Sequence, residues 1–507
     1  MKVLWSLDSE PRARIAIFHL RPRKSRRDAG GEASLFPAFS VSMRRVLACV
    51  KPMVGGAIAL ALGACADDPP VVTADPPTAL VSAQANPTTG GPNTELRDLI
   101  ESAPQSLVGG ERMNVDLLRR FYARHGFAPV WTTRQPQAES LINGVMRADD
   151  HGLDPELFHA DQLRSSEGLS KLARELLLSN AFLSYADALA RGALPVERRR
   201  DDEVLTPGKI DVAAVLDKAI ASSDPASVIE GLAPTTPTYR ALRQALHDAR
   251  AGLPVGKAGG PGGGKVSTPR LQEIEVNLER ERWLPRKLPA DRVWVNAADE
   301  RVVMYRDNEQ VFSSKVVVGM IEKRHQTPEF AASIEGIYFN PPWVIPNEIA
   351  VNEILPLAKQ DPTYLAKHGM VMMPNGDLQQ MAGVNSGLGV LLFDMRNSFD
   401  VYLHDTPSKE LFTREDRHVS HGCIRVEDPQ KLAALVMQQS TDAISETLAT
   451  SGTIWKKLPK AVPVFVVYET AFADADGKLQ FRPDAYGRDA EIWQALNPKA
   501  RTVMAAR

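Results

Sequence analysis

Cysteine is what this sequence has least of: three in 507 residues, at positions 49, 65 and 423. So few thiols, so far apart, cannot build a disulfide framework or a cysteine-rich zinc module. Net charge is also missing. With 60 basic and 62 acidic residues the formal charge is −2, and the basic footprint of a nucleic-acid binder is absent. Nucleic acid is therefore not an expected partner. Long apolar runs are lacking too, with one exception. Residues 46–64, VLACVKPMVGGAIALALGA, are interrupted only by Lys51 and preceded by Arg44 and Arg45. The run is short, rich in Gly and Ala, and followed at once by ADDPPVVTADPP. That pattern describes a secretory signal peptide better than a membrane-spanning helix.

Within this run Leu62-Gly63-Ala64-Cys65 resembles the lipobox of bacterial lipoproteins. Cys65 is then expected to be lipidated and to anchor an exported chain to a membrane of the cell envelope. The alternative is an ordinary small-residue cleavage site at Ala64-Cys65-Ala66. Residues 1–42 are rich in Arg, lack hydrophobic periodicity and would misplace the signal, so they read as a mis-assigned leader with the true start at Met43. If Cys65 carries lipid, Cys423 has no partner in an oxidising compartment. Such a thiol is either buried and inert or kept for its reactivity.

Beyond the signal (43–65), residues 66–93 read as a disordered tether of Pro, Thr, Ala and Asp. Helical periodicity follows over 94–251. Asn114 caps a helix bearing Val115, Leu118, Phe121 and Tyr122. A longer helix carries Leu172, Leu176, Phe182 and Tyr185 and stops before Pro195. A third carries Tyr239, Leu242 and Leu246. A glycine-rich linker occupies 252–269. From 270 to 470 the period changes to that of short strands. RVWVNAADERVVMYRDNEQVFSSKVVVG places a hairpin turn at Arg306-Asp307-Asn308-Glu309. SIEGIYFN, GVLLFDM, DVYLHD and PVFVVYET are further strands, and Asp428-Pro429 opens a helix. Residues 471–507 form a C-terminal extension. The expected fold class is α+β, a mostly helical domain followed by a β-rich one.

Ser420-His421-Gly422-Cys423 concentrates the chemistry. A thiol is mostly protonated at neutral pH, so a catalytic cysteine needs a base or a positive neighbour. His404, ending the strand DVYLH, and His421 both offer an imidazole. The N–H groups of Gly422 and Cys423 are candidate oxyanion donors, with the glycine permitting the tight turn. Two other readings compete on residue types alone. Cys423 is a core cysteine beside unrelated histidines, or His404, His418, His421 and Cys423 hold zinc, although their spacing matches no common zinc pattern.

His404, fifteen intervening residues and then SHGC resemble the signature of the L,D-transpeptidase (YkuD-type) catalytic domain, whose members act on bacterial peptidoglycan. VYLHDTP (401–407), HVSHGCIRVEDP (418–429), FNPPWVIP (339–346), RERWLPR (280–286), GMIEKRHQTP (319–328) and DAYGRD (484–489) resemble the long YcbB-like subgroup. FYARHGFAPVWT (121–132) and DDHGLDP (149–155) are similar to its scaffold domain.

The resemblance implies that Cys423 is the nucleophile and His404 the general base, oriented by the backbone carbonyl of Asp405. It puts His421 and Ser420 at the positions that shape the site. Arg425 stands where some members have Asn and suits a stem-peptide carboxylate. Tyr402 matches a motif tyrosine able to polarise the scissile carbonyl, or is plain strand packing. The implied reaction is attack on a tetrapeptide stem, release of D-Ala and transfer of the acyl group to an amine of a neighbouring stem, a 3-3 crosslink. It implies no cofactor and no metal ion, and covalent inhibition by carbapenems. Hydrolysis of the same acyl-enzyme, as an L,D-carboxypeptidase or endopeptidase, or a non-catalytic wall-binding scaffold are the alternatives. Two departures stand out. MAGVNSGLG (381–389) replaces the subgroup's usual loop, and the glycine-rich linker stands in place of a peptidoglycan-binding module.

Overall fold

A computed structural model describes residues 92–101, 107–108, 111–253, 255, 267–450 and 452–497. The signal, the lipobox with Cys65, the tether up to residue 91 and most of the glycine-rich linker lie outside the described residues, and the last two tether residues, Pro92 and Asn93, begin the first helix. Among the described residues no helix is long and apolar enough to cross a membrane.

The first half is helical. Helices Pro92–Glu101, Val115–Arg124, Gln135–Met146, Lys171–Arg191, Val212–Ile220, Pro225–Glu230 and Pro237–Arg250 surround one core that includes Phe121, Tyr122, Trp131, Phe182 and Tyr239. A short hairpin joins β1 (Leu107–Val108) to β2 (Glu111–Arg112). Asn114 caps its helix, its side chain accepting from Leu117 N at 3.3 Å, which satisfies one of the orphan donors of a helix start. The Lys171–Arg191 helix sends Glu175 inward, where it accepts from Trp131 N (3.0 Å) and Tyr122 OH (2.8 Å). A buried carboxylate with these partners ties FAPVWT to the central helix.

Helix Thr268–Arg282 bridges the halves because its faces serve different cores. Ile274 and Leu278 join the helical core, while Val276 and the following Trp283 pack with Phe465 and Val467 of the sheet. Arg282 is fully buried and donates to Glu279 (2.8 Å), to His151 O (2.8 Å) and to Tyr239 OH (3.2 Å).

The second half is a mixed sheet that closes on itself. Its strands are β3 (Arg292–Asn296), β4 (Arg301–Arg306), β5 (Glu309–Gly319) and β6 (Phe330–Phe339), then, after an insert, β10 (Leu391–Met395), β11 (Leu403–His404), β12 (His418–Ser420), β13 (Ile424–Val426) and β14 (Ile454–Val467). The order is β12-β5-β13-β11-β10-β6-β14-β3-β4, and an additional β4–β5 pairing completes a barrel. Closure removes the free edges that an open sheet would expose. The β4–β5 turn carries Asp307 and Asn308 at φ +51° and +67°, the geometry that favours Asn and Asp in two-residue hairpins.

The insert carries β7 (Trp343–Val344), β8 (Met370–Met372) and β9 (Leu378–Gln380), with short helical turns over Asn347–Lys367 and a small core of Ile345, Ala350, Ile354 and Leu378. After β14, the hairpin β15 (Ala471–Ala473) and β16 (Leu479–Phe481) returns to the helical half. Ala471 is part of that core. The strand expected over DVYLHD pairs only at Leu403 and His404. Ahead of it Asn397 takes both the N–H and the carbonyl of Val401, and Asp400 turns at φ +53°.

Candidate active site

The parallel pairing of β11 with β13 sets Leu403 beside Ile424 and His404 beside Arg425. One step back, the same register sets Tyr402 beside Cys423, consistent with the 2.9 Å bond from Ile424 N to Tyr402 O. Leu403 and Ile424 fill the barrel core. Because side chains alternate along strands, Tyr402, His404, Cys423 and Arg425 share the opposite face. The sheet therefore brings a thiol, an imidazole, a phenol and a guanidinium together from two short strands.

His404 is buried, and its Nδ1 lies 2.5 Å from the Asp405 carbonyl. A carbonyl only accepts, so Nδ1 carries the proton and Nε2 keeps its lone pair. Burial first, and the Arg425 charge second, push the imidazole's pKa down to about 4, against the opposing pull of the Asp405 and Leu388 carbonyls. At neutral pH it is uncharged, the state a general base requires. Burial likewise raises the Cys423 thiol, with the Tyr402 N–H and Arg425 opposing. The resting pair is thus neutral thiol and neutral imidazole, not thiolate and imidazolium. The half-buried Sγ lies 3.8 Å from the Asp400 carbonyl. Burial also lowers Arg425 and raises Tyr402.

The Asp405 carboxylate has a separate task. It accepts from Val390 N (3.0 Å) and pairs with Lys409 (2.8 Å). A Cβ at Gly389 would collide with the Asp405 carboxylate, so MAGVNSGLG closes onto the base-bearing strand through a glycine.

Several bonds pin the nucleophile loop. Ser420, almost fully buried, donates to the Cys423 carbonyl (2.6 Å) and accepts from Gly422 N (3.1 Å). Thr327 donates to the Gly422 carbonyl (2.9 Å) and accepts from Gly319 N (2.9 Å). Gly422 sits at φ +113°, where an L side chain is strained. The Gly422 N–H, one of the two candidate oxyanion donors, is engaged by the Ser420 hydroxyl in this loop. Ser420 shapes the turn from within.

His421 points away from this network. Its Nε2 meets Glu353 Oε1 of the insert at 2.6 Å, and its ring packs edge-on against His325 at 4.6 Å. Sequence reasoning missed Glu353 and His325. The GMIEKRHQTP motif contains His325, but nothing local to IAVNEILPL marks its glutamate. The four histidine and cysteine candidates for zinc do not converge. His404 Nδ1 is held by Asp405 and His421 by Glu353, while His418 Nδ1 lies 2.7 Å from Asp416. The metal-capable group among the described residues is Glu300, Asp416 and His418, where Glu300 also pairs with Arg417 (3.4 Å).

Comparison with known proteins fits this geometry. Residues 116–246 match the scaffold domain family, and residues 290–463 match the L,D-transpeptidase catalytic domain (YkuD). A Haemophilus influenzae protein provisionally named an L,D-transpeptidase is 26% identical over 409 residues, covering 74% of this chain and 78% of the relative. Among solved structures, the catalytic domain of an E. faecium L,D-transpeptidase acylated by ertapenem is 12% identical. The match covers 36% of this chain and 98% of that one, with a TM-score of 0.20. Bdellovibrio bacteriovorus Bd1075 is 14% identical over 42% of this chain and 56% of its own, with a TM-score of 0.16.

Proposed function

The chain belongs to the long, YcbB-like L,D-transpeptidases, a scaffold domain joined to a YkuD catalytic domain, and on that premise we propose that it forms 3-3 crosslinks in peptidoglycan. The observation that carries this reading is the shared face of Cys423 and a neutral, buried His404 whose Nδ1 is fixed on the Asp405 carbonyl. His404 Nε2 takes the thiol proton as sulfur attacks the carbonyl of the penultimate residue of a tetrapeptide stem, in the amide that joins it to the terminal D-Ala. The imidazolium then gives that proton to the departing D-Ala nitrogen, and a thioester to Cys423 remains. An amine of a second stem attacks the thioester, the C–S bond breaks and the crosslink is complete. Acyl transfer conserves the bond energy, so no nucleotide is consumed. Arg425, beside His404 on this face, suits a stem carboxylate.

Carbapenems would acylate the same sulfur. From the resemblance of Leu62-Gly63-Ala64-Cys65 to a lipobox we also propose that the enzyme is tethered to a membrane of the cell envelope through Cys65. Cys65→Ser is expected to release the protein from the membrane fraction, and persistent attachment would refute the anchor. The central test incubates the purified chain with tetrapeptide muropeptides and reads the products by mass. A crosslinked dimer plus free D-Ala is expected. Tripeptide alone would make the enzyme a hydrolase, and no product would leave a wall-binding scaffold.

A further inference from the structure

The mechanism above employs one histidine, yet the loop carries a second that the insert holds from outside the barrel. Glu353 lies on the segment Ala350–Ile354, where Leu355 N bonds back five residues to Ala350 O in a π turn. The cause is visible in the sequence. Pro356 has no N–H to give Asn352 O, and its ring crowds that carbonyl, so the helix widens one turn before it. Such widened turns often occur at functional sites. Here the turn carries the carboxylate that meets His421 Nε2 at 2.6 Å. Glu353 is half exposed and His421 is 28% exposed, so the pair faces solvent and an incoming molecule can reach it. Around the pair, His325 packs against the His421 ring, and Glu348 lies 3.5 Å from His325 Nε2 and 3.3 Å from Arg324.

A carboxylate accepting from Nε2–H fixes the tautomer in which Nδ1 holds the lone pair. It also stabilises the imidazolium formed when Nδ1 takes a proton, as the buried carboxylate does in a catalytic triad. No hydrogen-bond partner occupies His421 Nδ1 among the described residues. We infer that Glu353 and His421 form a second acid–base pair, devoted to the acceptor half of the reaction: His421 deprotonates the attacking amine and Glu353 positions it. The inference rests on the transpeptidase reading and divides its labour, with His404 serving the thiol and His421 the acceptor.

The step balances as follows. The acceptor ammonium gives one proton to His421 Nδ1, which releases it to solvent, and a free amine is left. Its lone pair forms the N–C bond at the thioester carbonyl, and the C–S bond breaks with its electron pair on sulfur. The second proton of that nitrogen passes through His404 to the sulfur, giving amide and thiol. The acceptor is thus a primary amine that is protonated in bulk at neutral pH, the class for which a base matters most.

The test separates the two halves. D-Ala release and meropenem acylation report the donor half, and crosslinked dimer reports the acceptor half. In Glu353→Ala, dimer formation should fall at least about tenfold more than D-Ala release, as befits a lost part of a positioned base. Acyl-enzyme should accumulate in the intact mass spectrum, and tripeptide should rise at the expense of dimer. Glu353→Asp should recover part of the loss. Hydroxylamine, already uncharged at pH 7, should discharge the acyl-enzyme of Glu353→Ala at the wild-type rate. A proportionate fall in both halves, unchanged dimer formation, or no rescue by hydroxylamine would overturn the inference. Failure of the wild-type chain to release D-Ala would instead strike the transpeptidase reading itself.

Discussion

His404 is a base because it is kept uncharged, and that has a cost measurable in acid. Its pKa of about 4 lies below the roughly 6.5 of an unfolded-chain histidine. The unfolded state therefore binds the proton first as pH falls. Stability from this residue is complete above about pH 6.5 and is lost progressively down to about pH 4, roughly 3 kcal/mol in all. Denaturant unfolding should show His404→Gln retaining more of its neutral-pH stability at pH 4 than the wild type. The raised thiol gives a second expectation. Alkylation of Cys423 by a small reagent should keep climbing with pH past the usual thiol range of about 8.5 instead of levelling near neutrality. His404→Ala should slow turnover by at least about 10²-fold, and Cys423→Ala should abolish D-Ala release while leaving the fold intact. A thiol that already levels off at pH 6 in wild-type protein would mean a resting ion pair and would contradict the neutral state.

At the scale of the element, the nucleophile loop shows what a sequence can and cannot disclose. Ser420 is 1% exposed and satisfies two backbone groups of its own turn, a local task consistent with its place three residues before Cys423. Thr327 does comparable work from ninety-five residues away, accepting from Gly319 N and donating to Gly422 O. No local pattern announces that. Thr327→Val keeps the shape but leaves a buried donor and a buried acceptor unpaired, which costs about 1–3 kcal/mol per group. Thermal unfolding should register the loss, and crosslinking should fall because the Gly422 turn is freed. Unchanged activity would show that the turn holds itself. The same division explains the wider reading. The helices with Asn114, Phe182 and Tyr239 and the Asp307-Asn308 hairpin were legible because capping, period and turn chemistry are local signals. The insert was not. Its strands run two or three residues, and Val351, Val371, Met372 and Val384 are exposed, so neither period nor burial marks them. Glu353 was hidden for the same reason.

For the whole molecule, the question is how a helical half with no catalytic residue bears on the site. Arg488, fully buried in the C-terminal extension, donates to Glu329 (3.0 Å), to Thr327 O (3.0 Å) and to Asp202 (3.0 Å). Asp202 belongs to the segment after the Lys171–Arg191 helix, and its carbonyl accepts from Glu329 N (2.7 Å). One guanidinium thus joins the helical half, the strand entering at Glu329 and the residue whose hydroxyl holds Gly422. Tyr486 strengthens the link by donating to Gly319 O (2.7 Å). Arg488→Met would fill much of the same volume but strand the buried Glu329 carboxylate, while Asp202 keeps its pair with Arg200 (3.0 Å), and removing one partner of a buried pair costs about 3–5 kcal/mol. Because helix Thr268–Arg282 contributes to both cores, that loss should lower one shared unfolding transition rather than detach one half. Calorimetry of the full chain should show a single shifted peak, with crosslinking reduced in the still-folded variant at low temperature. Two separated peaks, or full activity with the expected loss of stability, would mean that the scaffold supports the catalytic domain without positioning its nucleophile loop.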